Sequence, residues 1–463
     1  MSTKGSEVSA AKAKRNVVVT AAIAGLAGLL FGYDTGIIAT ALLTITPEFN
    51  LGSFASGMVV AAVPIGAVFG AWFATRGGDR YGRRSLILAS SIIFIVGAVV
   101  SGIAQEAVVL ILSRVVIGFG IGVASAIAPV YISEVAPSDM RGRLVTFFQL
   151  AVTVGILVAY LVGLAFADVN EGWRWMLGLG AIPAAILMVG VLRLPNSPRW
   201  LMMKERHDEA AYALRQVRPG GEAAIETELE EIRVSMASDV ETGGWRDLMK
   251  PAVKAALLVG LGLAVLQQIT GINTVIYYAP TIIKDTGINS DFSSILASLG
   301  VGVINVVMTI VALRLLDIRG RRELLLIGVS GMTLSLFLLG VAFIGATGTF
   351  TTIVAVGSLM LFVSSFAISL GPIFWLLNAE IYPLSVRSKA ASAGTMTNWF
   401  FNFAVSLTFL PLIDFAGQTG AFWLYGAVGL VTLWFCWKFV PETKGRSLEQ
   451  IETIFKRRAG EIK

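Results

Sequence analysis

Twelve long apolar runs, separated by short polar stretches, constrain this chain more than any other feature of its sequence. Each run is long enough to cross a bilayer as a helix, which takes about 20 mostly apolar residues. In lipid the backbone must satisfy its own hydrogen bonds, so such runs are expected to be helical. The runs lie near Val17–Leu42, Ser56–Thr75, Ser85–Ala104, Ala107–Ile132, Val145–Ala167, Trp175–Leu192, Val253–Ile283, Ser293–Leu316, Glu323–Ile344, Thr351–Leu377, Ala390–Ile413 and Ala421–Phe439.

The composition excludes a soluble globular protein and several kinds of site. Of the 463 residues, 56% are hydrophobic and only 14% are charged. The single cysteine, Cys436, allows no disulfide or cysteine metal site within one chain, and the single histidine, His207, lies in a charged segment. We therefore expect no enzyme, no cofactor and no metal site. The net charge of +6 is concentrated between the runs, which predicts a lipid bilayer as partner rather than nucleic acid.

Lysine and arginine in the short loops set the predicted orientation. The loops after runs two, four, eight and ten are basic, the loops after runs one, three, nine and eleven contain no lysine or arginine, and both termini are basic. The positive-inside rule then places both termini in the cytoplasm. No cleavage site of a signal peptide is evident near the start. The predicted divisions are a cytoplasmic N-terminal tail (1–16), a six-helix domain (17–194), a cytoplasmic helical linker (195–250), a second six-helix domain (251–440) and a cytoplasmic C-terminal tail (441–463).

Two motifs occur once in each half of the chain. Gly78–Arg84 after run two matches Asp317–Arg322 after run eight, and Glu134 with Arg141 after run four matches Glu380 with Arg387 after run ten. The same order at the same loop positions indicates a duplicated six-span unit. The linker contains SPRWLMMKERHDEAAYALRQV and EAAIETELEEIRVSMAS, whose periodicity predicts two or three short amphipathic helices.

The stretch Leu266–Pro280, LQQITGINTVIYYAP, places amides and phenols in an apolar run. Buried amides are costly without partners, so they normally face a bundle interior or a watery cavity. On a straight helix Asn273 would lie roughly 120° from Gln267. If both contact one ligand, the helix must loosen near Thr270 and Gly271. Neutral amides suit a neutral, hydroxyl-rich ligand; alternatively, they only join helices.

Asp34 and Arg114 are charges well inside their runs. Each costs on the order of 3 kcal/mol at mid-bilayer, and a lone pair of opposite charges in one half is most simply explained by mutual contact. The pair is either purely structural or a proton switch, since burial and a nearby cation act on a carboxylate in opposite directions.

These residues resemble the sugar porter branch of the major facilitator superfamily. The resemblance covers nearly the whole chain and includes GGDRYGRR, PNSPRWL, QQITGIN, DIRGRR, GPIFWLLNAEIYP and PETKGRSLEQIE. Asn196 departs from it, because the family usually has glutamate there, in the cytoplasmic charge network. The resemblance implies an all-α membrane protein with two pseudo-symmetric six-helix bundles that rock about a central sugar site.

The resemblance also implies which residues contact the sugar. Apolar surroundings support the amides among them, and a predicted helix break at Gly371–Pro372 supports Trp375, which could otherwise be an interfacial aromatic. Trp399 and Asn402 fit a structural role equally well and are not included. The implied contacts are Gln149, Gln267, Gln268, Asn273, Asn305, Trp375 and Asn398.

Proton-coupled members of the family typically have aspartate at the position of Asp34, which favours a monosaccharide–proton symporter. We expect it to lie in a bacterial inner membrane and to act as a monomer. The alternatives are a proton-independent uniporter, a polyol or myo-inositol symporter, or a sugar sensor that does not transport. Repeated acidic and basic residues at the cytoplasmic edge are expected to form a latch that closes the two halves. These are Asp79, Arg83, Glu134, Arg141, Asp317, Arg321, Glu380 and Arg387.

Overall fold

The computed structural model describes residues 10–137, 140–219, 221–238, 244–288, 290–344, 348–383, 385–446 and 448–461. Within these ranges the regular secondary structure is helical throughout. The predicted all-α architecture is therefore confirmed for the part of the chain that is described.

Seven helices form the first half of the chain. The last two, α6 and α7, follow each other closely and together make the sixth span. In order they are α1 (Ala10–Glu48), α2 (Ser53–Tyr81), α3 (Arg83–Gly102), α4 (Ala107–Val135), α5 (Arg141–Phe166), α6 (Gly172–Gly178) and α7 (Ala181–Leu192).

Three short α-helices and a 3-10 helix connect the halves, as the amphipathic patterns predict. They are α8 (Pro198–Met203), α9 (His207–Val217), α10 (Glu222–Ser238) and the 3-10 helix Trp245–Met249. Ser197 caps α8 by accepting a hydrogen bond from the Trp200 amide, and Pro198 occupies the first turn, a combination that starts helices efficiently.

The second half contains α11 to α17, and α18 follows the last span. Two of its spans are interrupted, one between α11 and α12 and the other between α15 and α16. The bounds are α11 (Pro251–Ile269), α12 (Ile272–Lys284), α13 (Asp291–Ile318), α14 (Arg321–Ala342), α15 (Thr349–Ala367), α16 (Leu370–Glu380), α17 (Arg387–Phe439) and α18 (Leu448–Arg458).

The described part of the chain contains eleven continuous helical stretches of spanning length, whereas the sequence predicts twelve runs. The difference lies in α17, whose 53 residues are interrupted at Gly417, with φ 67° and ψ 170°. A helix of that length would extend about 80 Å, far more than the roughly 30 Å of a hydrocarbon core. Its two arms therefore account for the eleventh and twelfth spans.

Helices within the first half pack closely through small residues. A methyl group added at Gly32 of α1 would overlap the carbonyl oxygen of Val152 on α5, and one added at Gly155 would overlap that of Leu29. Small residues at such crossings let helix backbones approach each other in a membrane. These glycines set the spacing between α1, which contains Asp34, and α5.

The two halves touch each other on the side away from the linker. The Tyr160 hydroxyl on α5 donates to the Ile276 carbonyl on α12 at 3.0 Å, and Gly57, near the start of α2, faces the backbone of Leu407 on α17. On the linker side, all residues from 145 to 151 of α5 are partly exposed. This segment packs against α1, where Gly25 and Gly28 face the backbone of Phe147 and Phe148. The partial exposure of every residue is consistent with lipid on one side and open space between the halves on another.

We predict that Gly32→Ala lowers the free energy of unfolding by about 1–3 kcal/mol, because the methyl group must force α1 and α5 apart. Thermal unfolding in detergent measures the change. Gly357→Ala on α15 is the control, since a methyl group there meets nothing within 4 Å. A Gly32→Ala midpoint as high as that of Gly357→Ala would contradict the packing argument.

Candidate functional site

The chain breaks its helix where the amide pattern predicts. Helix α11 ends at Ile269, Gly271 adopts the left-handed conformation with φ 89° and ψ 17°, and α12 begins at Ile272. Glycine takes this conformation without the steric cost that other residues have. The break brings the Asn273 Nδ2 atom to 2.6 Å from Gln268 Oε1.

Four side-chain amides meet at this break, and we call Gln267, Gln268, Asn273 and Asn398 the amide cluster. The Asn398 amide donates to Gln267 Oε1 at 2.6 Å and to the Ala264 carbonyl at 3.2 Å. Gln268 Nε2 donates to Asn398 Oδ1 at 3.0 Å and to Gln267 Oε1 at 3.3 Å. The cluster therefore joins α11 and α12 to the first arm of α17.

Gln267 extends the cluster to the second interrupted span. Its Nε2 atom donates to the carbonyl of Leu370 at 2.7 Å, the residue with which α16 begins after the break that follows Ala367. The helix-joining role considered from the sequence is thus present. An amide has two N–H groups and two acceptor lone pairs, and each of the four keeps at least one of these unused among the described residues. A hydroxylated ligand can use this remaining capacity.

The other three predicted sugar contacts, Trp375, Gln149 and Asn305, lie on α16, α5 and α13, outside the amide cluster. Trp375 lies one turn after the start of α16, is 39% exposed and packs edge-on against Phe374 at 4.9 Å. Gln149 on α5 is half-buried and Asn305 on α13 is buried. Among the described residues, none of the three is hydrogen-bonded to the amide cluster.

Asp34 and Arg114 form a fully buried ion pair. Arg114 Nη1 and Nη2 lie 3.2 Å from the two carboxylate oxygens of Asp34, and Arg114 Nε donates to the Val59 carbonyl at 2.8 Å. Only 1% of Arg114 and 4% of Asp34 is exposed. The guanidinium thus connects α4 to α1 and α2, and a buried pair of this kind needs such complete bonding to offset its desolvation.

Two contacts connect the helix of the ion pair to the helices of the amide cluster. The Tyr277 hydroxyl on α12 lies beside Thr35, which follows Asp34, and beside Asn402. The rings of Phe31 on α1 and Trp399 on α17 lie 5.2 Å apart. Sequence reasoning left the roles of Tyr277, Asn402 and Trp399 aside. The available signal was the pair Tyr277 and Tyr278 in an apolar run, which did not reveal that the first lies beside α1 and that the second donates to the Ser406 carbonyl on α17.

The charged residues on the linker side form ion pairs within each half. Arg83 lies 3.0 Å from both Asp79 and Glu134, and Arg321 lies 3.4 Å from Glu380. These pairs differ from the expected latch, which requires pairs between the halves, because the halves approach each other on the opposite side.

The remaining members of the predicted latch are placed as follows. Arg141 is exposed at the start of α5. Arg387 donates to the Tyr382 carbonyl at 3.1 Å. The side chain of Asp317 lies outside the described residues.

Comparison with known proteins decides which family this arrangement represents. Residues 20–455 match the family model described as "Sugar (and other) transporter". This chain belongs to the sugar porter family of the major facilitator superfamily. The family consists of membrane transporters, so this sugar porter is not an enzyme.

Similar proteins cover the porter almost completely. The D-xylose transporter of Levilactobacillus brevis is 42% identical over 438 residues, which are 94% of this chain and 95% of that protein. The arabinose-proton symporter of Escherichia coli (strain K12) is 39% identical over 444 residues, 95% and 93% of the two chains. The inward-open structure of the xylose transporter XylE from E. coli is 31% identical, with a TM-score of 0.82 and coverage of 95% and 99%. The predicted major facilitator fold is confirmed.

We predict that Gly271→Ala lowers the free energy of unfolding by about 1–2 kcal/mol, because an alanine in the left-handed conformation is strained. The added carbon would also lie 3.3 Å from the Tyr425 ring. Gly271→Asn is the control, because asparagine tolerates this conformation better. Equal thermal midpoints in detergent for the alanine and asparagine variants would contradict a requirement for left-handed geometry.

Proposed function

We propose that this porter imports a monosaccharide, a hexose or a pentose, together with a proton across a bacterial inner membrane. The observation that carries the proposal is the buried Asp34–Arg114 pair, connected through Thr35 and Tyr277 to the helix that contributes Asn273. When the proton site and the ligand site lie on helices in contact, a movement of these helices caused by one event changes the affinity of the other site. The arabinose-proton symporter among the relatives supports proton coupling.

The sugar binds at the amide cluster, between the domains 17–194 and 251–440. Each amide both donates and accepts hydrogen bonds, so it can follow a hydroxyl whichever way that group is oriented. Trp375 supplies an apolar face for the C–H groups of the ring. Gln149 on α5 contacts the same ligand from the first domain, and Asn305 on α13 contacts it from the second. Both come within reach of the sugar when the domains close around it.

Asp34 is the proton acceptor and Arg114 is its counter-ion. When Asp34 takes a proton, its carboxylate becomes neutral and Arg114 loses its ionic partner, so α1 and α4 are free to change their relation. Loss of the proton to the other side restores the pair. One proton supplies about 2.3 kcal/mol for 100 mV and about 1.4 kcal/mol for one pH unit, enough for a sugar gradient on the order of a few hundred-fold.

The linker side is the cytoplasmic side in this proposal, and both termini lie there. The support is the concentration of arginine in the loops of that side. With this orientation the domains meet on the outer side, and we assign the structure to the inward-facing state of the cycle. The latch of Asp79, Arg83, Glu134, Arg141, Asp317, Arg321, Glu380 and Arg387 assembles only when the domains close on the cytoplasmic side.

We predict that Asp34→Asn abolishes concentrative uptake and leaves sugar exchange intact, because asparagine keeps the shape and the acceptor oxygen but cannot cycle a proton. The assay is uptake of radiolabelled xylose, arabinose, galactose and glucose into proteoliposomes, with and without an inward proton gradient. Asp168→Asn, at an exposed loop position, is the matched control. Accumulation of sugar by Asp34→Asn would refute the coupling role, and gradient-independent equilibration by the wild type would identify a uniporter.

We predict that Glu134→Ala and Glu380→Ala increase cytoplasmic access to the central space several-fold, because the closed latch loses a carboxylate. The reporter is the labelling rate of Ser392→Cys on α17, in a background where the buried Cys436 is replaced by serine. Glu231→Ala on the exposed face of α10 is the control. Unchanged labelling in both latch variants would rule out a latch at these positions.

A further inference from the structure

Three positively charged side chains lie at the end of the last span, more than are needed to bond its free carbonyls. The final carbonyls of a helix have no intrahelical partner. At the end of α17, Arg322 from the start of α14 donates to the Trp437 carbonyl, and Arg458 from the end of α18 donates to the Phe439 carbonyl. Lys438 lies between these two positions in the chain. We call Arg322, Lys438 and Arg458 the basic triad.

In the first half a single arginine bonds the free carbonyls at the end of the last span. Arg84 occupies the position in the repeated motif that corresponds to Arg322. It donates to the carbonyls of Val191 and Leu192, at 3.0 and 2.6 Å, at the end of α7. One arginine is therefore sufficient to cap the last span of a half. The second arginine at the end of α17 is not explained by capping.

The basic triad has no ionic partner within the described part of the chain, where its three members form no ion pair with a carboxylate. The Nε atom of Arg322 is buried without a hydrogen-bond acceptor. Partial burial lowers the pKa of Arg458, and the nearby charge of Arg322 lowers it further. The carboxylate of Glu442 accepts hydrogen bonds from the backbone amides of Arg321 and Arg322 and forms no ion pair with the described side chains of the triad. The three cations therefore repel one another without a paired carboxylate, which favours an external anion.

The surroundings of the triad are those of a membrane–water boundary. Helix α17 leaves the apolar region at Phe439, and Trp434 and Trp437 on its last turns are 50% and 60% exposed. The Lys438 ammonium lies 5.2 Å from the centre of the Trp434 ring. Tryptophan is typical of the headgroup level of a bilayer, so an anion at the triad would be at the depth of lipid phosphates.

We infer that the basic triad binds the phosphodiester headgroup of an anionic phospholipid in the leaflet on the linker side. The planar guanidinium groups offer paired N–H donors that match phosphate oxygens, and the ammonium of Lys438 adds a third charge. The acyl chains lie along the apolar end of α17 beside Trp434 and Trp437. A bound lipid would hold α14, α17 and α18 together at the base of the second half.

Binding is tested on the full-length protein in a neutral detergent by native mass spectrometry and by thermal unfolding. The probes are dioleoyl phosphatidylglycerol, dioleoyl phosphatidylcholine as the zwitterionic comparison, and inorganic phosphate. The variants are Arg458→Gln and Lys438→Gln, with Arg457→Gln as the matched control that removes one exposed charge from the same turn of α18. Each variant is compared with itself without added lipid, which removes the effect of a weakened helix cap.

We expect phosphatidylglycerol to bind and stabilise the wild type more than phosphatidylcholine does. Apparent affinity should fall roughly five-fold in Arg458→Gln and in Lys438→Gln, the factor expected for one cation near an anionic surface, and stay unchanged in Arg457→Gln. Equal losses in all three variants would show unspecific charge attraction and overturn the assignment. Equal stabilisation by inorganic phosphate would also overturn it, since the ligand would then be a free anion and not a lipid.

Discussion

A buried pair of opposite charges constrains the rest of this porter more than any other interaction. Each charge at mid-bilayer costs on the order of 3 kcal/mol, and a buried pair offsets this only with complete hydrogen bonding. Arg114 meets the requirement with both oxygens of Asp34 and the Val59 carbonyl. The close crossing of α1 and α5, which the glycine contacts permit, keeps Asp34 in place. A proton on Asp34 would remove its charge and leave Arg114 uncompensated. Protonation would thus weaken the contact between α1 and α4.

The second half provides the complementary feature, helices that are interrupted where the ligand is expected. One span is broken at Gly271 and another is broken before Leu370, and the amide cluster connects the two breaks. Tyr277 and the Phe31–Trp399 contact bring this cluster against α1. The ion pair and the amide cluster belong to different halves, so a motion that separates the halves must alter the surroundings of both. Coupling then requires no element beyond these contacts.

Sequence patterns predict the local features of this molecule and not the contacts between distant segments. The spans follow from hydrophobicity and the break at Gly271 follows from the spacing of Gln267 and Asn273, because both depend on neighbours along the chain. The merging of the last two spans into α17 depends on how the chain turns at Gly417, which hydrophobicity does not report. The partners of Tyr277 and the within-half pairs of Arg83 and Arg321 depend on how helices approach in space. Arg458 is inconspicuous in a basic tail until its position beside Arg322 is known.

The central claim is that sugar and proton cross together through Asp34. It is tested most directly by the pH of a lightly buffered suspension of proteoliposomes when sugar is added outside without any imposed gradient. The account predicts a saturable rise of external pH with the wild type and the transported sugar, because protons enter with it. With Asp34→Asn, sugar should still equilibrate while the pH stays constant. Entry of sugar into wild-type vesicles without a change in external pH would contradict the account and leave the Asp34–Arg114 pair with a structural role.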